Sequence, residues 1–212
     1  MVVAIDGPAG VGKSTLARKI AENYGFFNLN SGAFYRAVTL KIIEENIDPV
    51  DHEKVIKAAE QADIQLIDGK LYLDGKIVED KLRTDKVDRL SSVISSIVPV
   101  RRIVNNHLRK LADRINLVAE GRDMTTVVFP DAEVKIYLDA DPAVRAERRF
   151  LQGTSSKNKQ EIERSIRERD EIDKNKKEGS LKIADEALVL DTSALTLEQV
   201  YEKVSRLIKT YL

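Results

Sequence analysis

Gly7, Pro8, Ala9, Gly10, Val11, Gly12, Lys13, Ser14 and Thr15 stand in the order G-x-x-x-x-G-K-[ST], directly after the apolar run Val2, Val3, Ala4 and Ile5. A buried strand that ends in a glycine-rich turn and feeds a helix aims successive backbone N–H groups, and the positive end of the helix dipole, at one point. An anion belongs there. Glycines let the backbone curl around phosphate oxygens without a Cβ in the way, the Lys13 ammonium can reach β- and γ-phosphates, and the Ser14 hydroxyl is a hard oxygen ligand suited to Mg²⁺. The expected ligand is a magnesium nucleoside triphosphate.

A phosphate loop specifies a nucleotide and leaves the reaction open, so the arginines matter next. Four clusters stand out: Ser31, Tyr35 and Arg36; Glu120, Gly121, Arg122 and Asp123; Arg145, Arg148 and Arg149; and Arg167, Arg169, Asp170, Asp173 and Lys176. Any one arginine reads equally well as a solvated surface residue. Four groups at predicted strand ends and helix ends fit phosphoryl transfer, whose transition state spreads charge over the γ-phosphoryl oxygens and is stabilised by positioned cations. An acceptor that is already an ionised phosphate needs no general base, and the chain offers no obvious one. The single plausible candidate, Asp6, lies in the strand-to-loop turn.

The elements that must carry these residues alternate between short apolar runs and longer helical patterns, which predicts an α/β fold with a five-stranded parallel sheet flanked by helices. Predicted strands are Val2 to Ile5, Phe27 to Leu29, Leu117 to Ala119, Val134 to Leu138 and Ala187 to Leu190. From Lys13, residues Leu16, Ala17, Ile20, Ala21 and Tyr24 recur at helical spacing. Asp141 and Pro142 mark a helix start, and Thr196 with Gln199 forms a capping box before a C-terminal helix ending near Tyr211. Residues 63 to 79 break the rhythm: two Asp-Gly pairs, at 68 and 69 and at 74 and 75, separate short β-forming runs and predict a small antiparallel insertion. Gln152 to Lys159, polar and containing Gly153, lies between two charged helices and suits a mobile lid.

Composition narrows the classes. Lys plus Arg equals Asp plus Glu at 35 each, and aromatics are 5%, which disfavours a nucleic-acid-binding module. With no cysteine there is no disulfide framework or thiol chemistry, and a cytoplasmic, non-membrane protein is expected. His52 and His107 read as surface helix residues. A GTPase switch would need a guanine-reading Asn-Lys-x-Asp, and the nearest string, Asn175, Lys176, Lys177 and Glu178, lacks the final Asp.

Taken together, the phosphate loop, Ser31 to Arg36, Leu82 to Thr84, Val100 with Arg101, Glu120 to Met124 running into Val127 to Ala132, Arg145 to Arg149, and Arg167 to Asp170 with Asp173 resemble the bacterial cytidylate kinases of the nucleoside monophosphate kinase family over essentially the whole chain. The Asp-Gly-[Phe/Tyr]-Pro-Arg signature of adenylate kinases and eukaryotic UMP/CMP kinases is absent. The resemblance implies a single P-loop kinase domain over 1–212, with residues 31–113 as the monophosphate-binding region, its β insertion at 63–79, and a lid at 150–168. It implies transfer of the γ-phosphoryl group of ATP to CMP or dCMP with Mg²⁺, with a kinase for UMP or another small acceptor as the alternative. A monomer is expected.

By the same resemblance, Ser92, Arg101 and Asp123 would read the cytosine edge and Asp173 with Arg169 would reach the ribose. Arg36, Arg122 and Lys176 would grip the acceptor phosphate, with Ser31 and Tyr35 shaping the pocket wall. Arg145 would lie against the ATP base, and Arg149, helped by Arg148, would reach over the transferring group beside Lys13. Three residues depart from the family pattern: Lys176 stands where Arg is usual, Thr125 where Gly is usual and Ser180 where Pro is usual.

Overall fold

The computed structural model describes residues 1–67, 69–112, 115–153 and 157–212. In chain order the elements begin β1 (Val2–Asp6), α1 (Lys13–Tyr24), β2 (Phe27–Asn30), α2 (Ser31–Glu44) and α3 (His52–Gln61). Three short strands follow, β3 (Ile64–Ile67), β4 (Lys70–Leu73) and β5 (Lys76–Ile77), then α4 (Asp85–Ile94) and α5 (Val98–Ala112). The remainder is β6 (Leu117–Gly121), a π-helical turn at Met124–Val128, β7 (Val134–Asp139), α6 (Pro142–Leu151), α7 (Lys159–Lys174), β8 (Leu188–Asp191) and α8 (Leu197–Ile208). The chain divides into two compact units, one of Met1–Leu29 with Leu111–Leu212 and one of Asn30–Lys110.

The first unit is built on a five-stranded sheet in the order β2-β6-β1-β7-β8. β1 runs parallel to both β6 and β7, and β7 parallel to β8. The central strand is apolar without alternation, and Val3, Ala4 and Ile5 are all fully buried, so neither of its faces meets water. Every predicted strand is present, and each extends past its apolar run into polar or glycine positions. Asp6, for example, pairs with Gly121 on one side and Tyr137 on the other. Backbone pairing does not depend on side-chain polarity, so the apolar run marks only part of each strand. β8 starts one residue late because the Ala187 N–H is turned back to the Ala184 carbonyl. α8 stops at Ile208, short of Tyr211, and its last residues fold into turns on Leu207 and Ile208.

The helix starts follow local chemistry. The Asp141 side chain accepts from the Ala143 N–H at 2.7 Å, with Pro142 in the first turn. Thr196 and Gln199 cap each other reciprocally, and so do Asn158 and Glu161 at the start of α7.

In the second unit, β3, β4 and β5 form the predicted antiparallel meander. Leu71 and Leu73 face inward at 3% exposure each, and Ile77 faces water. The turn at Asp74 and Gly75 has positive φ at both residues, 49° and 74°, the conformation that matches strand twist in a tight hairpin. Asp74 also accepts from the Asp63 N–H at 3.0 Å and from Lys41 Nζ at 2.6 Å, fastening the meander to α2. Of the earlier Asp-Gly pair, Asp68 lies outside the described residues, as do positions 154–156 of the expected lid. α6 ends and α7 begins on either side of that segment. No helix among the described residues is long and apolar enough to cross a membrane.

Candidate active site

In the first unit the ends of β1, β6, β7 and β8 share one edge of the sheet, the edge at which open α/β sheets bind ligands. The phosphate loop leaves β1, the central strand. Gly7 is required by packing, since a Cβ there would sit 2.1 Å from the Leu138 carbonyl oxygen. Gly12 caps α1 in the left-handed region at φ 99°, with open space where a Cβ would go. Ser14 and Thr15 are exposed in the first turn of α1, whereas Lys13 is buried and its Nζ donates to the carbonyls of Gly7 and Pro8, both at 2.7 Å. Burial first, and then the nearby charge of Arg122, pushes the Lys13 ammonium well below the ordinary lysine value. An incoming phosphate would reverse that bias.

The arginine and aspartate cluster lies beside this loop. Arg122, one residue past β6, donates through Nε to Asp173 Oδ2 at 2.7 Å, and Lys176 Nζ donates to Asp173 Oδ1 at 2.8 Å. Burial alone would raise the Asp173 pKa. The charges of Arg122, Lys176 and Arg169 outweigh it and hold the carboxyl well below the usual carboxylate range. Arg169 also contributes to depressing Lys13, so the two cationic groups feel each other. Asp123 is 2% exposed and its carbonyl accepts from the N–H groups of Val127 and Val128, closing the π-helical turn.

Two of the arginines on α6 have partners that fix their orientation. Arg145 is 3% exposed; its Nε donates to the Ala140 carbonyl at 2.9 Å, Nη1 to the Ala9 carbonyl of the phosphate loop at 3.2 Å, and Nη2 meets Asp170 Oδ2 at 2.7 Å. Its edge is thereby spent on protein. Arg148 is turned onto Thr192, with Nη1 at 3.1 Å from Oγ1 and Nη2 at 2.5 Å from the carbonyl oxygen. Thr192 Oγ1 in turn approaches the Val11 carbonyl of the loop at 3.2 Å. Arg149 is half-buried on the same helix.

The second unit gathers the other expected residues. Asn30 caps α2 by accepting from the Ala33 N–H at 3.0 Å, which sets Ser31, Tyr35 and Arg36 on its first turns. Arg36 Nε donates to Asp88 Oδ1 on α4 at 3.0 Å, and its Nη1 lies so near Gly32 that a Cβ there would be 3.2 Å away. Arg101, 2% exposed on α5, places its guanidinium 5.4 Å from the Tyr35 ring centre and donates Nη1 to the Ser95 carbonyl at 3.0 Å. Tyr35 Oη donates to Asn105 at 3.0 Å, and Ser92 is buried on α4.

Asp6, Asp88, Asn105 and Asp170 hold site residues in place, and sequence reasoning gave none of them that role. Only Asp170 carried a signal, its place in the arginine-rich run 167–170. Asp6 is no general base in this arrangement, because both its oxygens already accept hydrogen bonds from Met124 and Thr125.

A phosphate loop on the central strand of this sheet, with arginines on the next strand end and on the helices after β7, defines a kinase of the P-loop class. The solved shikimate kinase of Bacteroides thetaiotaomicron shares the fold at a TM-score of 0.51, with 12% identity over 99% of this chain and 98% of that one. The family model for cytidylate kinase matches residues 3–210, and the chain belongs to that family. It is 41% identical to the cytidylate kinase of Caldanaerobacter subterraneus subsp. tengcongensis over 98% of this chain and 94% of the relative. It is also 41% identical to the cytidylate kinase of Fusobacterium nucleatum, over 99% of this chain and 97% of the relative.

Proposed function

We propose that this chain transfers the γ-phosphoryl group of ATP to CMP or dCMP, giving ADP and CDP or dCDP. The observation that carries the reading is the Arg122, Asp173 and Lys176 cluster, in a chain of this family, close enough to Lys13 for the charges to be felt there. Gly7 to Thr15 hold the triphosphate, with Lys13 moving from the Gly7 and Pro8 carbonyls to the β- and γ-phosphates. Arg122 and Lys176 are already oriented by Asp173. Adding an acceptor phosphate beside them creates charge-assisted hydrogen bonds without reorganising the cations. Arg36, whose Nε donates to Asp88, is assigned to the acceptor phosphate by the family resemblance. Ser92, Arg101 and Asp123 recognise the cytosine, Asp173 with Arg169 the ribose, and Ser31 with Tyr35 the pocket wall. Arg149 and Arg169 reach the transferring group, and Arg145 offers its face to the ATP base. Residues 31–113 serve as the monophosphate-binding region and 150–168 as the lid.

Mg²⁺ fits the donor chemistry: Ser14 supplies a hard oxygen at the helix start, and among the described residues no group of three His, Asp or Glu could cage a metal. Such an ion would take its other ligands from phosphate and water and neutralise charge between them. A hydroxyl acceptor is disfavoured because it calls for a base and the Asp6 oxygens are committed. We further take the enzyme to act as a monomer in the cytoplasm. The test is ADP formation with ATP and each free monophosphate in turn. CMP and dCMP are expected to be turned over fastest; CMP no better than an acceptor-free control, with UMP turned over rapidly, overturns the acceptor assignment.

A further inference from the structure

Asp6 is fully buried at the end of β1, one residue before the phosphate loop, and it holds the chain at two separate points. Its backbone pairs in register with Gly121 at the end of β6. Its carboxylate reaches past that point: Oδ1 accepts from the Met124 N–H at 2.8 Å, and Oδ2 accepts from the Thr125 N–H at 2.7 Å and the Thr125 hydroxyl at 2.6 Å. The two residues spanned between these points are Arg122 and Asp123. Immediately beyond, the Asp123 carbonyl closes the π-helical turn and Met124 is fully buried.

We propose that Asp6 and Thr125 form a clip that fixes the backbone carrying Arg122 and Asp123 to the root of the phosphate loop, making Thr125 a positioning residue for phosphoryl transfer. The proposal rests on the acceptor role given above to Arg122 and Asp123. A carboxylate buried this deeply persists as an ion only while its hydrogen bonds are made, and the shortest of them comes from the Thr125 side chain. In-line transfer requires donor and acceptor groups to be held within fractions of an ångström. A single ion reached from both segments provides that, since neither can shift without breaking a bond to it. Among the described residues, Lys13 on α1, Asp123 before the π-helical turn and Tyr137 on β7 interact with Asp6, and Glu120 and Arg122 at the end of β6 act on the same Lys13. Burial pushes the Asp6 carboxyl up to about 6 and the Thr125 and Met124 hydrogen bonds oppose that rise, so loss of the hydroxyl should raise it further.

The experiment compares wild type, Thr125→Val and Thr125→Ser for kcat, the KM values of ATP and CMP, and the pH dependence of kcat. Thr125→Val keeps shape and removes the hydroxyl. It is expected to lower kcat about tenfold with the KM of ATP within about twofold, and to move the acid limb to higher pH. Thr125→Ser should restore both. The second ionisation of the CMP phosphate also falls near pH 6, but it is common to all three proteins, so the displacement between them is the readout. Wild-type kcat and an unmoved acid limb in Thr125→Val overturn the clip, as does failure of Thr125→Ser to recover. Amide exchange at Met124 and Thr125, measured without nucleotide, should quicken in Thr125→Val; this reads the clip even if CMP proves not to be the acceptor.

Discussion

Replacing Arg145 by Met removes the guanidinium that pairs with Asp170 Oδ2, and the structure indicates what that should do. Asp170 is 6% exposed and its second oxygen, Oδ1, has no hydrogen-bond partner, so Arg145 Nη2 at 2.7 Å is its principal compensation. Leaving such a carboxylate buried and unpaired costs about 3–5 kcal/mol. The Ala9 and Ala140 carbonyls lose their guanidinium donors as well, at about 1–3 kcal/mol each where water cannot replace them, and these terms overlap with the first. A net loss of about 5 kcal/mol is expected, which for a chain of this length lowers Tm by about 10–20 °C. The assay is urea unfolding of Arg145→Met, Asp170→Asn and the double variant. Neutralising Asp170 in the Arg145→Met background should recover at least about 2 kcal/mol, because it removes the stranded charge. A single variant losing less than about 1 kcal/mol, or a double variant no more stable than Arg145→Met, would refute the view that Arg145 is first a buried brace between the phosphate loop and the two helices after β7, and only then a surface for a nucleotide base.

Two further outcomes can be measured directly. Arg122→Ala at saturating ATP should lower kcat about a hundredfold while the KM of ATP changes by only a few fold, as follows from the acceptor role proposed for Arg122, whose Nε is held by Asp173; equal losses in both would place it on the donor. Asp6 and Asp173 should bend the pH dependence of stability in opposite senses. Burial raises the Asp6 pKa to about 6, above its unfolded value near 3.8, so its contribution is full below about pH 3.8 and is lost as pH rises through about 6. Asp173 is buried too, but Arg122 and Lys176 depress it, so its contribution is full above about pH 3.8 and disappears only in stronger acid. In urea midpoints from pH 3 to 8, Asp6→Asn should abolish the fall in stability between about pH 4 and 6 and Asp173→Asn should flatten the acid end. Identical slopes in wild type and both variants would contradict these environments.

The phosphate loop was legible because its conformation is dictated locally: glycines at the positions of positive φ, an apolar strand before and a helix after. The strands were legible from their apolar runs, and the helix starts at Asp141 and Thr196 from side chains that bond three residues or fewer along the chain. The hairpin at Asp74 and Gly75 belongs with them, since its turn type needs only those two residues. The arginine motifs identified the family.

Tertiary structure decided how each charge is used. Asp6 read as the one plausible base and proved to be an acceptor for residues nearly 120 positions away. The contacts of Arg148 with Thr192 and of Arg145 with the Ala9 carbonyl are made to distant segments, so the spacing of the arginines on α6 carried no sign of them. Lys176, Arg122 and Asp173 form one network although they come from the end of a strand and the far end of a helix. A periodicity or a cap is fixed by neighbours in sequence, which every conformation of the chain keeps close. The partner of a buried ion is fixed by which distant segment the packed core delivers within 3 Å of it.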